Sequence, residues 1–172
     1  MMSELVTGYY RSPIGVLEIT GSVNGVSSVS FVDDDARSRL AAPAVVQECV
    51  SQLDEYFTGR RKEFSLKLDL QGTEFQKRVW RELQKIPFGK TVSYLAIAEL
   101  VGTRESVRAV GRANGQNPVS IVVPCHRVIG SDASLTGYGG GLWRKRWLLN
   151  FESNNPQDEL FALRLEPNAS CR

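Results

Sequence analysis

The sequence is poor in the two residue types that build most metal centres and disulfide frameworks. Its 172 residues include a single histidine, His126, and only three cysteines, Cys49, Cys125 and Cys171. An odd, sparse set of cysteines argues against a disulfide framework. A zinc site would have to recruit Cys49 or Cys171 to the lone imidazole at no recognisable ligand spacing, so we expect no structural metal.

Long apolar runs are also absent. No stretch approaches the ~20 consecutive apolar residues that a bilayer-spanning helix needs. The opening Met1-Met2-Ser3-Glu4 lacks the basic flank and apolar block of a secretory signal. We therefore expect no membrane association and a cytoplasmic location, at the nucleoid if the protein binds DNA. With 42% hydrophobic and 23% charged residues, the composition is that of a globular protein that can bury its own core.

The small net charge of +2 conceals an uneven distribution along the chain. Residues 1–59 carry three basic and eight acidic side chains, whereas residues 60–152 carry sixteen basic and eight acidic ones. A strongly basic half is typical of a surface that faces a polyanion. An unevenly charged surface without such a partner explains the pattern about equally well, so charge alone does not decide.

The first third of the chain predicts an antiparallel sheet and one helix. Short segments rich in β-branched or aromatic residues are separated by the turn signals Ser12-Pro13 and Asn24-Gly25, and the second suits a two-residue hairpin turn. A helical stripe over residues 43–58 ends at Gly59, and Cys49 beside that stripe is expected to be a packing residue. The predicted strands, with a fourth after the helix, are Val6–Tyr10, Gly15–Thr20, Val26–Val32 and Phe64–Leu70.

From Thr73 onward the apolar period becomes helical. Thr73 suits an N-cap, and apolar residues recur at steps of three and four as far as Ile86. Two shorter helices follow, around a glycine turn in which Thr103 is expected to cap the second one; such a helix-turn-helix signature is weak by itself. The segments predicted after Ile86 are helices over Ser93–Leu100 and Arg104–Ala113, a buried strand over Val119–Val123, a glycine-rich loop over Gly137–Gly141, a last helix over Leu142–Glu152 and a polar tail from Ser153.

Nucleophilic chemistry is suggested by the dipeptide Cys125-His126. A thiol becomes a nucleophile as its thiolate, and a neighbouring imidazole can take the proton if a carboxylate fixes the ring. Adjacent residues often point apart, so a bridging water is as reasonable as direct contact. Asp132 and Glu152 are both candidates for the carboxylate. A Cys-His pair alone is usually a coincidence; its position between a helix-turn-helix and a glycine-rich loop favours catalysis.

Several motifs resemble those of the O6-alkylguanine-DNA alkyltransferases. The run from Ile121 to Gly130, with Pro124-Cys125-His126-Arg127 at its centre, is similar to the active-site signature of that family. Other matches keep the family's order and spacing, so the resemblance covers about residues 73–152. These matches are Ser93-Tyr94, Arg108-Ala109-Val110-Gly111, Asn117-Pro118, Gly137-Tyr138-Gly139-Gly140-Gly141 and Trp147-Leu148-Leu149, with Ser12-Pro13-Ile14-Gly15 and Tyr56-Phe57 in the N-terminal part.

The resemblance implies an α+β fold. Residues 1–70 would form a small N-terminal β-sheet and helix domain, ribonuclease H-like, packed on a mostly helical C-terminal domain over residues 71–152 that contains the helix-turn-helix. Residues 153–172 would be a polar tail with no counterpart in the family. Zinc-binding members of the family ligate the metal from the N-terminal domain, and the absence of histidine there implies that this chain does not.

The activity implied by the resemblance is a suicide repair reaction that needs no cofactor. Cys125 would take the alkyl group from O6-alkylguanine in DNA and keep it; O4-alkylthymine stays open as a second substrate. His126, through a water, would take the thiol proton, with Glu152 orienting the ring. Tyr94 would donate a proton or hydrogen bond to the guanine, and Asn117 would brace the active-site turn.

The resemblance also implies how DNA is held: double-stranded DNA, approached through its minor groove, with the alkylguanine flipped out of the stack. Arg108 would fill the vacated space, and small side chains around it permit close approach. Cooperative assembly of the protein on DNA stays open. The implied DNA contacts are Arg108, Tyr94, Thr103, Ser106, Ala109, Gly111, Ser131 and Gln76, and the implied pocket residues are Tyr138, Gly139, Val128 and Ser120.

Two rival functions lack the chemistry. Alkyltransferase-like proteins grip DNA without the nucleophile, and a helix-turn-helix regulator binds one operator, often as a dimer. The presence of Cys125 disfavours the first rival. Gly139 and Ser120 depart from the residues that some family members carry near the base, so the range of accepted alkyl groups is undecided.

Overall fold

The computed structural model describes residues 4–33 and 44–153. The polar tail predicted from Ser153 lies outside these residues apart from Ser153 itself, and so does Cys171. Within the described part of the chain, no helix is long and apolar enough to cross a membrane.

The N-terminal part is a three-stranded antiparallel sheet covered by one helix, as predicted. Strands β1 (Val6–Ser12), β2 (Gly15–Ser22) and β3 (Gly25–Val32) pair in sequence order. Alternation along β2 buries Leu17 and Ile19 completely beneath helix α1 (Ala44–Phe57). Cys49 on that helix is fully buried, and burial raises the pKa of its thiol to about 12, as befits a packing residue.

The second hairpin differs by one residue from the prediction. Ser22 pairs with Gly25, so Val23 and Asn24 are the two loop residues. Gly25 opens β3 with a φ of +137°, a conformation that L side chains rarely adopt. A Cβ at Gly25 would lie 2.5 Å from the carbonyl oxygen of Lys67, so glycine also permits close approach of the following segment.

The predicted strand Phe64–Leu70 is wrong. This segment makes a single bridge, between Leu68 and Val26 on the edge of β3. Farther along the same edge, Val29 is bridged instead by Val119 from the C-terminal part. Two remote segments thus share the edge of β3, and the bridge from Val119 ties the C-terminal part to the N-terminal sheet.

Three helices form the helix-turn-helix region. Helix α2 (Glu74–Gln84) begins at a complete capping box, in which Thr73 and Gln76 bond each other's backbone N–H groups. Helix α3 (Tyr94–Val101) starts at the side-chain cap Ser93, and α4 (Val107–Gly115) follows a 3₁₀ turn over Arg104–Ser106. The three helices pack on one another. Thr103 occupies the predicted N-cap position, ahead of that 3₁₀ turn, but its side chain makes no capping hydrogen bond.

The apolar segment that leads to Cys125 is buried, but the strand predicted over it is wrong. Ile121 has a φ of 72°, and the N–H of Val123 donates to the carbonyl of Val119 at 3.0 Å. The chain therefore folds back as a tight turn instead of extending. Two-residue strands β4 (Val92–Ser93) and β5 (Val128–Ile129) then pair in parallel, and helix α5 (Leu142–Ser153) completes the fold.

An aromatic cluster lies where the N-terminal helix meets the last helix. The Tyr56 ring lies 5.4 Å from that of Phe151, and Trp147 stacks on Phe151 at 5.1 Å. Phe57 and Phe88 complete the cluster. Its members come from α1, α5 and the loop after α2, so the burial of these rings holds both parts around the segment that carries Cys125.

Candidate active site and DNA-facing surface

Cys125 begins a 3₁₀ turn over Cys125–Arg127 and is almost completely buried. Its backbone N–H donates to Val123 at 2.8 Å, and its carbonyl accepts a 3.3 Å bond from the Asn114 amide. Burial raises the pKa of the thiol, although a hydrogen bond with Asn117 and the charge of Lys145 act in the opposite direction. The sulfur therefore carries its proton at neutral pH and needs a base to become a nucleophile.

Asn117 spans the turn that leads to the cysteine. Its side-chain nitrogen donates to the carbonyl of Val123 at 2.8 Å, and its oxygen accepts from the N–H of Val119 at 3.0 Å. These bonds hold both ends of the turn that contains the left-handed Ile121. The position suits the bracing role that the resemblance implies for Asn117.

His126 is fully buried and is held through one ring nitrogen. Its Nε2 lies 2.9 Å from Oε1 of Glu152. An ionised carboxylate only accepts hydrogen bonds, so Nε2 carries the proton and Nδ1 carries the basic lone pair. Nδ1 has no hydrogen-bond partner among the residues described. Burial lowers the pKa of His126, while the hydrogen bond and charge of Glu152 raise it, and burial prevails.

The structure decides between the two candidate carboxylates. Asp132 is exposed on the turn after β5, where its Oδ1 accepts from the N–H of Ser134 at 3.0 Å. Glu152, near the end of α5, is the carboxylate that reaches His126. Of the two, only Glu152 can orient the ring.

Glu152 also accepts hydrogen bonds from residues that the sequence did not identify as its partners. Tyr56 donates to its Oε1 at 2.7 Å, Arg127 donates to both oxygens at 2.8 and 2.9 Å, and the N–H of Gly89 donates to Oε2 at 3.3 Å. Burial alone would raise the pKa of Glu152, but the hydrogen bonds and charges of His126 and Arg127 hold it well below its usual range. The carboxylate is therefore ionised whenever the protein is folded near neutral pH.

Tyr94 is coupled to a second buried residue that the sequence did not reveal, Lys145. The Tyr94 hydroxyl donates to the carbonyl of Thr136 at 2.9 Å and accepts from Lys145 Nζ at 3.3 Å. Lys145 is fully buried and also donates to the carbonyls of Thr136 and Gly137 at 2.9 and 3.3 Å. Burial lowers the pKa of Lys145 to about 8 and raises that of Tyr94. A cation thus lies beside the phenol, and its charge also favours the thiolate form of Cys125.

The four predicted pocket residues differ in exposure. Val128 is completely buried on β5, and Ser120 is half-buried in the turn before Cys125. The Tyr138 hydroxyl is buried and has no hydrogen-bond partner within the described part of the chain. Gly139 is exposed, and a Cβ there would meet only the carbonyl oxygen of Gly115, at 3.9 Å. A side chain at position 139 would therefore fit.

The helix α4 presents the predicted DNA contacts to solvent. Arg108 and Ala109 are exposed on it, and a Cβ at Gly111 would meet no atom within 4 Å. Arg108 and Ala109 line an open groove that continues to Gln76 at the start of α2. Ser106 is half-buried just before α4, and Thr103 is exposed.

Two of the implied DNA contacts, Gln76 and Ser131, are weaker candidates by position. The Gln76 amide accepts from Thr73 N–H at 2.8 Å and donates to Gln116 at 2.9 Å, so a contact with phosphate would have to replace one of these bonds. Ser131 is exposed on the turn after β5, which is separate from α4.

A helix-turn-helix with an exposed arginine, followed by a buried cysteine next to a buried His–Glu pair, is typical of a class of DNA-binding proteins that carry a reactive cysteine. Comparison with known families places the chain within this class. Residues 5–70 match the ribonuclease-like domain, and residues 74–154 the DNA binding domain, of the 6-O-methylguanine DNA methyltransferases. The chain belongs to the 6-O-methylguanine DNA methyltransferase family, as the motif resemblance implied, and its α+β fold is the expected one.

Individual relatives agree over most of their length. The methylated-DNA–protein-cysteine methyltransferase of Mycolicibacterium paratuberculosis is 50% identical over 145 residues, which cover 82% of this chain and 88% of that one. A crystal structure of the Mycobacterium tuberculosis O6-methylguanine methyltransferase has a TM-score of 0.78 at 41% identity, covering 92% and 99% of the two chains. The M. tuberculosis protein in complex with DNA matches with a TM-score of 0.76 at 44% identity, covering 85% and 92%.

Proposed function

We propose that this protein repairs DNA by moving the alkyl group of O6-alkylguanine irreversibly to Cys125, so that each molecule reacts once. The observation that carries the proposal is the relay: Glu152 holds Nε2 of His126 at 2.9 Å and leaves Nδ1 as a free base next in sequence to a buried thiol. Family membership supplies the substrate class, because the relatives named above are methylated-DNA–protein-cysteine methyltransferases.

The reaction needs one proton to leave the Cys125 sulfur and another to reach the guanine. His126 Nδ1 takes the thiol proton, through a water, and the resulting imidazolium is stabilised by ionised Glu152. The sulfur attacks the alkyl carbon, a carbon–sulfur bond forms, and the carbon–oxygen bond breaks with its electron pair moving to the guanine. Tyr94 donates its proton to the ring, and the Lys145 ammonium 3.3 Å from the phenol oxygen stabilises the charge left there. The products are normal guanine and a thioether on Cys125.

DNA is the partner that membership of this family supports, and the manner in which the protein binds it is part of the proposal. Helix α4 enters the minor groove, and Arg108 fills the space left when the alkylguanine flips out. This assignment is supported by the exposure of Arg108 and Ala109 and by the open space above Gly111. The phosphate contact falls to Thr103, with Gln76 and Ser131 as weaker candidates. Cooperative assembly on DNA and a cytoplasmic, nucleoid-associated location complete the proposal.

Transfer of a labelled methyl group tests the proposed function. A duplex that holds one O6-methylguanine with an isotopically labelled methyl is incubated with the protein, and the label is located by peptide mapping. We expect one methyl per protein molecule, on Cys125. Cys125→Ala should bind the duplex with near-normal affinity and transfer nothing, whereas Cys49→Ala, the matched control at the other buried thiol, should transfer normally. Label that stays on DNA, or that appears at another residue, refutes the assignment.

A further inference from the structure

We propose that Tyr56, on the N-terminal helix α1, is a positioning residue of the proton relay, whose hydroxyl sets how much of the Glu152 charge reaches His126. The inference rests on the proposed function above, because it concerns the base that activates Cys125. It also gives the N-terminal part of the chain a direct share in the chemistry, beyond serving as a scaffold.

Three side chains make hydrogen bonds to the same carboxylate oxygen. Oε1 of Glu152 lies 2.7 Å from the Tyr56 hydroxyl, 2.9 Å from Nε2 of His126 and 2.9 Å from an Arg127 nitrogen. Of these three contacts to Oε1, that of Tyr56 is the shortest. Tyr56 and His126 are both fully buried, so water does not screen or replace the bonds.

The phenol of Tyr56 is a permanent donor to this oxygen. Ionised Glu152 can only accept, so the hydrogen of the short bond belongs to tyrosine. Burial, together with the adjacent carboxylate, raises the pKa of Tyr56 well above 10, so the phenol does not ionise in the working range. Arg127 is likewise a permanent cation. His126 is therefore the one partner of Oε1 that changes its charge during the reaction.

Donors that share an acceptor compete for its charge. While Tyr56 and Arg127 both bond Oε1, the oxygen has less negative charge to offer the imidazolium that forms when His126 takes the thiol proton. Removing the phenol hydroxyl leaves more of that charge facing His126 and so favours its protonated form. Tyr56 therefore keeps the imidazole neutral, and able to accept a proton, to a lower pH than Glu152 and Arg127 alone would.

The test compares Tyr56→Phe with the native protein. The Tyr56 ring is held by Phe57, Phe64, Phe88 and Phe151, and phenylalanine retains these contacts. Two readouts are followed against pH: the rate of a single turnover with benzylguanine, and the ring signals of His126 by NMR. The second readout is unambiguous because His126 is the only histidine in the chain.

We expect the acidic limb of the rate profile and the pKa of His126 to move upward together in Tyr56→Phe, by about half a pH unit or more, which is roughly a threefold loss of rate on the acidic limb. Tyr9→Phe is the matched control. It also removes a 2.7 Å hydrogen bond from a partly buried phenol to a carboxylate, here the carboxylate of Glu18 in the sheet. It should leave both profiles unchanged.

A second variant keeps the phenol hydroxyl and should shift the pKa of His126 in the opposite direction. Fluorotyrosine placed at position 56 is a stronger hydrogen-bond donor, so it should lower the pKa of His126. Profiles that coincide for all variants overturn the proposal, as does a loss of rate that is equal at every pH with an unchanged His126 titration. If native protein fails to alkylate Cys125, the proposed function fails instead, and the NMR titrations still decide the role of Tyr56.

Discussion

Polar side chains at the site differ sharply in how many partners they have. Glu152 accepts bonds from Tyr56, His126, Arg127 and the backbone of Gly89, whereas Nδ1 of His126 has none among the described residues. Buried polar atoms are normally paired, so an unpaired one at a reactive centre indicates where a proton or a substrate group will bind. This contrast supports the proposal that Nδ1 is the base.

The pH dependence of alkyl transfer should follow His126. Burial lowers the pKa of His126 below its ordinary 6.5, and the ring accepts a proton only when it is neutral, that is, above that pKa. The rate should therefore rise with pH through a midpoint below 6.5 and be level at neutral pH. Single-turnover rates with benzylguanine, measured across this pH range, give the midpoint. His126→Gln should lose the acidic limb, and a native midpoint above 6.5 would contradict the assignment.

Lys145→Met should slow alkyl transfer at pH 7 by about tenfold or more, equivalent to about 1.4 kcal/mol of barrier. The change removes the cation that lies 3.3 Å from the Tyr94 oxygen and that donates to Thr136 and Gly137. Lys85→Met, which alters an exposed lysine paired with Glu82, is the control and should react normally. An unchanged rate in Lys145→Met would remove the lysine from the account of proton donation.

Helices were predicted well from the sequence, and two strands were not. Helices α2 and α3 depend on local signals, a repeating apolar face and a side-chain cap; the cap at Thr73 forms as expected, and Ser93 caps the second helix. A strand over Phe64–Leu70 would need a partner remote in sequence, and β3 offers that segment one position, at Val26. The segment before Cys125 turns at Ile121, whose left-handed backbone no composition rule anticipates.

Arg108→Ala should separate duplex repair from chemistry. Arg108 is exposed on α4, and we assign it no part in the proton relay, so reaction with free benzylguanine should be unchanged. Repair of O6-methylguanine in duplex DNA should fall by tenfold or more, because the arginine no longer fills the vacated stack. Arg60→Ala, which removes the same charge where it pairs with Asp54 in the N-terminal part, is the control. Equal losses on both substrates would exclude Arg108 from base flipping.

At the scale of the whole molecule, the site depends on contacts between distant parts of the chain. The dipeptide Cys125-His126 stood out by its chemistry, and the family resemblance implied roles for Glu152, Tyr94 and Asn117. Tyr56 and Lys145 were not predicted, because their partners are 96 and 51 residues away and neither residue type signals a buried polar contact. Arg127 was visible as part of the signature, but only the fold shows that it pairs with Glu152.

Glu152→Gln should lower the free energy of unfolding at pH 7 by about 3–5 kcal/mol, because it leaves buried Arg127 without its carboxylate. Native stability should also fall on acidification. The pKa values of His126 and Glu152 in the folded protein both lie below their ordinary values of 6.5 and 4.5. The stability that these two groups contribute to the fold is therefore complete above about pH 6.5 and is lost as the pH falls.

Urea unfolding of the native protein and Glu152→Gln at pH 7 and pH 5 measures both effects. Asp132→Asn, at an exposed carboxylate, is the control and should unfold like the native protein. Equal stability of Glu152→Gln and native protein would mean that the buried ion pair between Arg127 and Glu152 does not stabilise the fold.

The central claim, that Cys125 is the alkyl acceptor, is tested most directly by the mass of the protein after reaction with benzylguanine. The account predicts the gain of a single benzyl group, located by peptide mapping on Cys125, with no further gain when more benzylguanine is added. A folded protein in which Cys125 stays unmodified, or in which the benzyl group is found on Cys49, would contradict it.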